Sequence, residues 1–168
     1  MTDGLIRGEV TVIRPLVSTD VDLMIAWFSD PEVYRWWDGY PKSREEVEKE
    51  FAGGRDSDME PFIIEANGEP IGYIQYWIET DSSGGIDMFL VPSAREQGLG
   101  PDAARAMVRY LTGELRWRRV TVDPAMGNAR AIRAWSKAGF IAEREMPDHP
   151  DGPALLMAIE ATGEVEPG

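Results

Sequence analysis

The chain has 168 residues, no cysteine and a formal net charge of −13 from 30 acidic and 17 basic side chains. That length suits one domain over residues 1–168, and the missing thiols exclude disulfides, thiolate metal sites and a cysteine nucleophile, so no metal site is expected. The charge repels nucleic acid and anionic membranes and attracts polycations; with no signal-peptide pattern in MTDGLIRGEV and no apolar run of roughly 18 residues, the expectation is a cytoplasmic protein without nucleic-acid or membrane partners.

The first eight or so residues read as a tail, as do the last eight or so. Alternation over Glu9–Leu16 predicts a first strand. Ser18 or Thr19 then caps a helix with Val21, Met24, Ile25 and Phe28 on one face, and Asp30-Pro31 ends it or begins the next. Pro31–Tyr40 carries Tyr34, Trp36, Trp37 and Tyr40, aromatics that serve either as core packing or as a stacking wall over a substrate. Ser43 and Glu46 form a capping box for a short helix through Val47 and Phe51, stopped at Gly53-Gly54. Pro61–Ala66 and Pro70–Ile78 read as strands joined by the Asn67-Gly68 turn, with a bulge expected at Gly72, and Asp81–Gly85 as a turn.

The stretch from Gly85 to Pro101 organises the rest. Ile86, Met88 and Leu90 alternate with Asp87, Phe89 and Val91 until Pro92 ends the ladder; Gly98 and Gly100 follow, and apolar residues at helical spacing run from Ala104 to Leu115. A helix opening at glycines, with Pro101 at a first helical position and Asp102 beside it, offers unpaired N–H groups and partial positive charge that suit a phosphate. Downstream, Arg118–Asp123 reads as a strand, Asn128 caps a helix with Ala131, Ile132, Trp135 and Ala138 inward, and Gly139 ends it. Phe140–Met146 and Ala154–Glu160 form a last hairpin, with the single His149 expected as an exposed turn residue.

Arg95-Glu96-Gln97-Gly98-Leu99-Gly100, after a strand and before a helix, resembles the Q/R-x-x-G-x-G/A acetyl-CoA loop of the GNAT N-acetyltransferases, and Asn128 through Phe140 resembles their N-x-x-A/S-x-x-x-Y-x-x-x-G-F element. Arg14-Pro15-Leu16, Trp36-Trp37, Asn67–Tyr73, Gly85-Ile86-Asp87 and Asp151–Ala154 are closer still to the aminoglycoside 6'-N-acetyltransferases, a resemblance spanning residues 9 to 160. It implies an α/β (α+β) GNAT fold whose central sheet of about seven strands is mixed, mostly antiparallel and flanked by helices. It also implies acetyl-CoA as co-substrate, a cationic small-molecule amine as partner, and a monomer or homodimer.

Carried onto this chain, the resemblance gives the N–H groups of Gln97, Gly98, Leu99 and Gly100 to the pyrophosphate. It gives the backbone of Phe89 and Val91 to the pantetheine, with Asn128 beside it, and Arg95 and Arg133 to the 3'-phosphate end. Asp87 is the base or amine anchor, a role in which burial or a water relay must offset its low reference pKa. Trp36 and Trp37 with the acids Glu79, Asp123 and Asp151 are expected to bind the acceptor. Trp135 stands where the family's motif has Tyr, and an indole N–H is no practical acid for a leaving thiolate. The other functions considered are a siderophore-type acyltransferase, an N-terminal protein acetyltransferase and a CoA-binding regulatory module without turnover.

Overall fold

The computed structural model describes residues 3–52 and 58–161, and the alternation of apolar side chains becomes a sheet buried on both faces. Its strands are β1 (Ile6–Arg7), β2 (Thr11–Pro15), β3 (Met59–Ala66), β4 (Glu69–Thr80), β5 (Ser83–Leu90), β6 (Arg119–Val122), β7 (Ile141–Met146) and β8 (Ala154–Glu160). They lie in the order β1-β2-β3-β4-β5-β6-β8-β7, and every neighbouring pair is antiparallel except β5 with β6. The helices are α1 (Val21–Trp27), α2 (Pro31–Tyr34), α3 (Arg44–Val47), α4 (Leu99–Gly113) and α5 (Ala129–Lys137).

Among the described residues the sheet has eight strands where the family resemblance implied about seven. The additional one is β1, inside the stretch read as a tail, where Ile6 pairs with Ile13 and Arg7 with Val12. Its anchor lies far away in the chain. The Asp102 carboxylate accepts from the N–H groups of Glu9, Val10 and Thr11 and from the Thr11 hydroxyl at 2.7–3.1 Å, and a Cβ on Gly8 would stand 2.2 Å from Asp102 Oδ2. So Asp102 is spent on the β1–β2 turn, and only glycine fits at position 8.

Side chains alternate between two cores, as a pleated strand requires. Phe62, Ile64, Ile74, Tyr76, Ile86 and Leu90 face α4 and α5, whereas Ile63, Tyr73 and Phe89 face α1, α2 and α3. Asp87 shares the parity of Phe89 and therefore lies on the second face. Asn128 caps α5 by accepting from the N–H of Ala131, and Ser43 with Glu46 makes the expected capping box on α3, which continues as a π-helical turn over Glu48–Ala52. The helix stop expected at Gly53-Gly54 lies outside the described residues. The expected bulge lies on β4 at Ile71, which is left unpaired between Ile64 and Glu65 of β3, and Gly72 itself is needed because a Cβ there would come within 2.3 Å of the Phe89 carbonyl oxygen. The turn after β4 is tighter than expected, since β5 already begins at Ser83. Among the described residues no helix is long and apolar enough to cross a membrane.

Candidate active site

The site begins where the sheet opens. The parallel pairs between β5 and β6 end at Gly85 and Thr121, so the C-terminal halves of the two strands diverge and leave a cleft of about 960 Å³. On the β5 wall three cross-strand pairs share one face: Tyr73 with Phe89, Gln75 with Asp87, and Trp77 with Gly85. The first pair stacks with ring centroids 5.8 Å apart. In the second, the Gln75 amide donates to Asp87 Oδ2 at 3.0 Å while its carbonyl accepts from the Tyr73 hydroxyl at 2.6 Å. In the third, the indole of Trp77 occupies the space a Cβ on Gly85 would need, at 2.2 Å. That placement sets the indole beside Asp87, where it favours the charged carboxylate. Gly85 and Asp87 of the G-I-D triplet thus belong to one device, with the glycine admitting the indole that steadies the aspartate.

Burial pushes the Asp87 carboxyl up, to about 6, and the nearby charges of Asp123 and Asp151 push in the same direction against the bonds from Gln75 and Trp77. Asp123 follows β6 and Asp151 lies in the β7–β8 connection; all three acids line the cleft. His149 joins the latter two: its Nδ1 accepts from the N–H of Asp151 at 3.2 Å, so Nε2 carries the proton and donates to Asp123 Oδ2 at 3.0 Å. It is therefore a packed residue of the cleft wall, not the exposed turn residue expected.

The other end of the cleft is the glycine loop. Glu96 and Gly98 are left-handed, at φ 62° and 77°, and α4 starts at Leu99, two residues before the position expected, with Pro101 third in the helix. Gly98 and Gly100 line the cleft; Gln97 and Leu99 flank them in the loop without lining it. Gly98 is exposed with open space on its Cβ side, and a Cβ on Gly100 would only reach ordinary contact, 3.5 Å from Leu90 Cδ1, so no side chain of these two glycines covers the loop's backbone. A bare, left-handed turn at the N-terminus of a long helix is a concave set of N–H donors for an anion.

Several expected contacts are corrected. The Val91 N–H donates to the Ile71 carbonyl at 2.9 Å, and by the ladder's alternation the backbone groups of Phe89 also face β4. It is Met88 and Leu90 that turn theirs toward the side of the gap, just as the Gly84 carbonyl, two repeats before Met88, faces β6 and accepts from the Thr121 hydroxyl at 3.4 Å. Arg95 is largely committed to protein: it donates to the Leu90 carbonyl at 3.1 Å and to the Glu32 carbonyl at 2.6 Å, tying the end of β5 to α2. Glu79 is exposed near the β4–β5 turn and does not line the cleft, because the hairpin carries it past the point where the strands diverge.

Asn128, Arg130, Arg133 and Lys137 line the cleft from the α5 side. Trp36 and Trp37 both line it too, with different surroundings. Trp37 packs edge-on against Tyr73 and Phe89 with centroids 5.7 Å away, whereas Trp36 is exposed beneath the Arg35 guanidinium. Trp135 is 5% exposed and packs edge-on against Phe140. Sequence reasoning missed Gln75, Trp77 and His149. Strand parity relative to Asp87 would have found the first two; no spacing rule joins His149 to Asp123.

A cleft between splayed parallel strands, with a bare glycine loop at one end and a half-buried carboxylate midway, is the architecture of an acyl-CoA-dependent N-acyltransferase. The model of the acetyltransferase (GNAT) domain matches residues 17–147, and the chain belongs to that family of acetyltransferases. It is 30% identical over 167 residues to an aminoglycoside N(6')-acetyltransferase type 1 of Klebsiella pneumoniae, covering 89% of this chain and 83% of that one. Among solved structures, AAC(6')-Ib in complex with paromomycin and acetyl-CoA superposes with a TM-score of 0.84 at 29% identity, over 91% of this chain and 94% of that one. AAC(6')-Ib with coenzyme A and kanamycin gives 0.82 at 29% identity, over 90% and 95% of the two chains.

Proposed function

We propose that this acetyltransferase moves the acetyl group of acetyl-CoA to a primary amine of a polycationic small molecule, and that the acceptor is an aminoglycoside modified at its 6'-amine. The observation that carries the reading is the placement of Asp87, Asp123 and Asp151 on one cleft that also holds the glycine loop. Acids around a cleft in a chain of charge −13 favour a cation, and the similar proteins above act on aminoglycosides.

The residues present fit acetyl-CoA. The loop N–H groups from Gln97 to Gly100 and the start of α4 suit the pyrophosphate, the backbone edge of Met88 with the N–H of Leu90 suits the pantetheine amides, and Arg130, Arg133 and Lys137 are the cations on the α5 side. The bound thioester supplies an activated acetyl carbon. An alkylammonium of pKa near 10 must lose a proton before its nitrogen can bond to that carbon, which costs on the order of 4 kcal/mol at pH 7. Asp87, with a carboxyl at about 6, is ionised at pH 7 and takes that proton directly or through one water. The C–N bond forms, the C–S bond breaks and the sulfur leaves as thiolate. Trp135, buried against Phe140, offers it no acid, so its proton comes from water or from the newly acylated nitrogen.

The test is thiol release across an amine panel: kanamycin, spermidine, an alkyl hydroxylamine and a peptide N-terminus, each with acetyl-CoA. Turnover is expected with kanamycin, weakening as salt rises because exposed charges are screened over about 10 Å at 0.1 M. No turnover with kanamycin together with clear turnover on another amine would reassign the acceptor, and no thiol release with any amine would sink the reading.

A further inference from the structure

We infer that His149 is a positioning residue for the acceptor: it locks the Asp123 carboxylate and the Asp151 backbone into one wall facing Asp87. The inference rests on the acceptor reading above and goes beyond it by assigning a part to a side chain that no motif includes. Its support is geometric. The ring spans from the end of β6 to the β7–β8 connection, with Nε2 donating to Asp123 Oδ2 at 3.0 Å and Nδ1 accepting from the Asp151 N–H at 3.2 Å. The side chain is 20% exposed and that of Asp123 34%, so both bonds are partly shielded from competing water.

Only one oxygen of Asp123 is engaged, which leaves the other able to accept from an ammonium. The loop does not depend on the imidazole for its path. Met126 N–H donates to the Pro153 carbonyl and Leu155 N–H to the Pro124 carbonyl, each at 2.9 Å, and Ala125 bridges Ala154. Gly152, at φ 103°, donates its N–H back to the His149 carbonyl at 3.0 Å and closes the turn by backbone alone. With the backbone stitched elsewhere, what the ring adds is the orientation of one carboxylate and the spacing of two. Were it absent, Asp123 would be free to rotate about its side-chain torsions, and an acceptor cation would have to order it on binding.

The experiment compares parent, His149→Leu and His149→Gln in steady-state thiol release with kanamycin as acceptor. Leucine removes both bonds, whereas glutamine keeps an N–H donor for Asp123 and an oxygen for the Asp151 N–H. His149→Leu should raise the kanamycin KM roughly fivefold or more, the loss expected when one charge-assisted bond to a ligand group is no longer held in place. Its KM for acetyl-CoA and its kcat should stay within about twofold of the parent, and His149→Gln should restore most of the kanamycin KM. An unchanged kanamycin KM in His149→Leu overturns the inference, as does an equal loss in kcat and in both KM values, or a glutamine variant no better than leucine. If the parent itself turns over no kanamycin, the acceptor reading fails separately. The positioning role is then read from the nitrogen chemical shifts of the His149 ring, which should show protonated Nε2 and unprotonated Nδ1 in the parent and lose that preference in Asp123→Ala. A ring with mixed tautomers in the parent overturns it as well.

Discussion

Asp87 and Asp102 stand on either side of the glycine loop, one in the cleft and one at the β1–β2 turn, and their surroundings drive the same side chain in opposite directions. Asp102 is only 3% exposed, yet it is held below the usual carboxylate range: desolvation works against the charge, and the Thr11 hydroxyl with the N–H groups of Thr11, Val10 and Glu9 outweighs it. Asp87 is pushed up first by burial and then by Asp123 and Asp151, against only the Gln75 amide and the Trp77 indole, and it rises to about 6. Burial alone therefore does not decide the charge of a carboxylate in this protein. The number of donors set against desolvation and neighbouring acids does, and it leaves one aspartate as a fixed anion for structure and the other near the proton affinity a base needs at neutral pH.

The largest effect expected from breaking this contrast is at Asp87. Asp87→Asn keeps the shape and an oxygen for Gln75 but removes the base, so kcat should fall by about 10²-fold or more with the acetyl-CoA KM unchanged. The parent's kcat/KM should lose activity on the acid side with a midpoint near 6, and that limb should vanish in the variant. Stability should move the other way. Because the carboxyl binds its proton more tightly folded than unfolded, its ionised form costs stability at pH values above about 6, and removing it should gain on the order of 2 kcal/mol at pH 8, a rise in Tm of a few degrees. A variant that is both inactive and less stable would mean that Asp87 is a structural anion.

Asp102→Ala should give the mirror image: the parent's kcat at 25 °C with a stability loss of about 2 kcal/mol, since the donors around Glu9, Val10 and Thr11 lose a charged acceptor. The depressed carboxyl contributes stability that is present above the unfolded pKa and lost as pH falls through the folded one. The gap in Tm between parent and variant should therefore close as the melts are taken below about pH 4.

The loop between the two aspartates is tested at Gly100. Its Cβ position is in ordinary contact with Leu90 and Met88, so Gly100→Ala should be well tolerated by the fold. The further methyls of Gly100→Val would crowd the bare backbone and should weaken acetyl-CoA binding at least about tenfold in calorimetry, with circular dichroism unchanged. Equal affinity would remove the phosphate assignment from this loop.

How much of this could be read in the chain itself differs between the two aspartates. The strand carrying Asp87, the glycine loop and the capping of α5 by Asn128 follow from local rules, and the element order after β1 came out as expected except that α2, the short helix begun at Pro31, adds a third helix between β2 and β3. Asp102 was placed correctly beside the helix start but without a partner, because its ligands lie more than ninety residues away, at Glu9, Val10 and Thr11. β1 was missed for the same reason: two residues show no periodicity, and their strand is held by that distant carboxylate. Phe89 and Val91 were misassigned by one position, since alternation reveals which side chains share a face but not which backbone edge stays unpaired; that depends on β4. His149 was illegible because Asp123 meets it only through the tertiary fold.

The smallest effect would sharpen the contrast most. Asp123 is a larger influence on Asp87 than Asp151 is, and both act by charge. Asp123→Asn retains an oxygen that can accept from the His149 Nε2–H, so the positioning bond survives while one negative charge is lost. With less repulsion the Asp87 carboxyl should ionise more readily, and the acid limb of kcat/KM should shift to lower pH by under about one unit, since two exposed or half-exposed acids interact through a solvent-rich cleft. Asp151→Asn should shift it in the same direction and by less. Acceptor KM should rise in both, because each acid also faces the cation. If the acid limb stays put in Asp123→Asn while KM rises, Asp123 touches the acceptor but does not tune Asp87, and the raised proton affinity must then come from burial and Asp151.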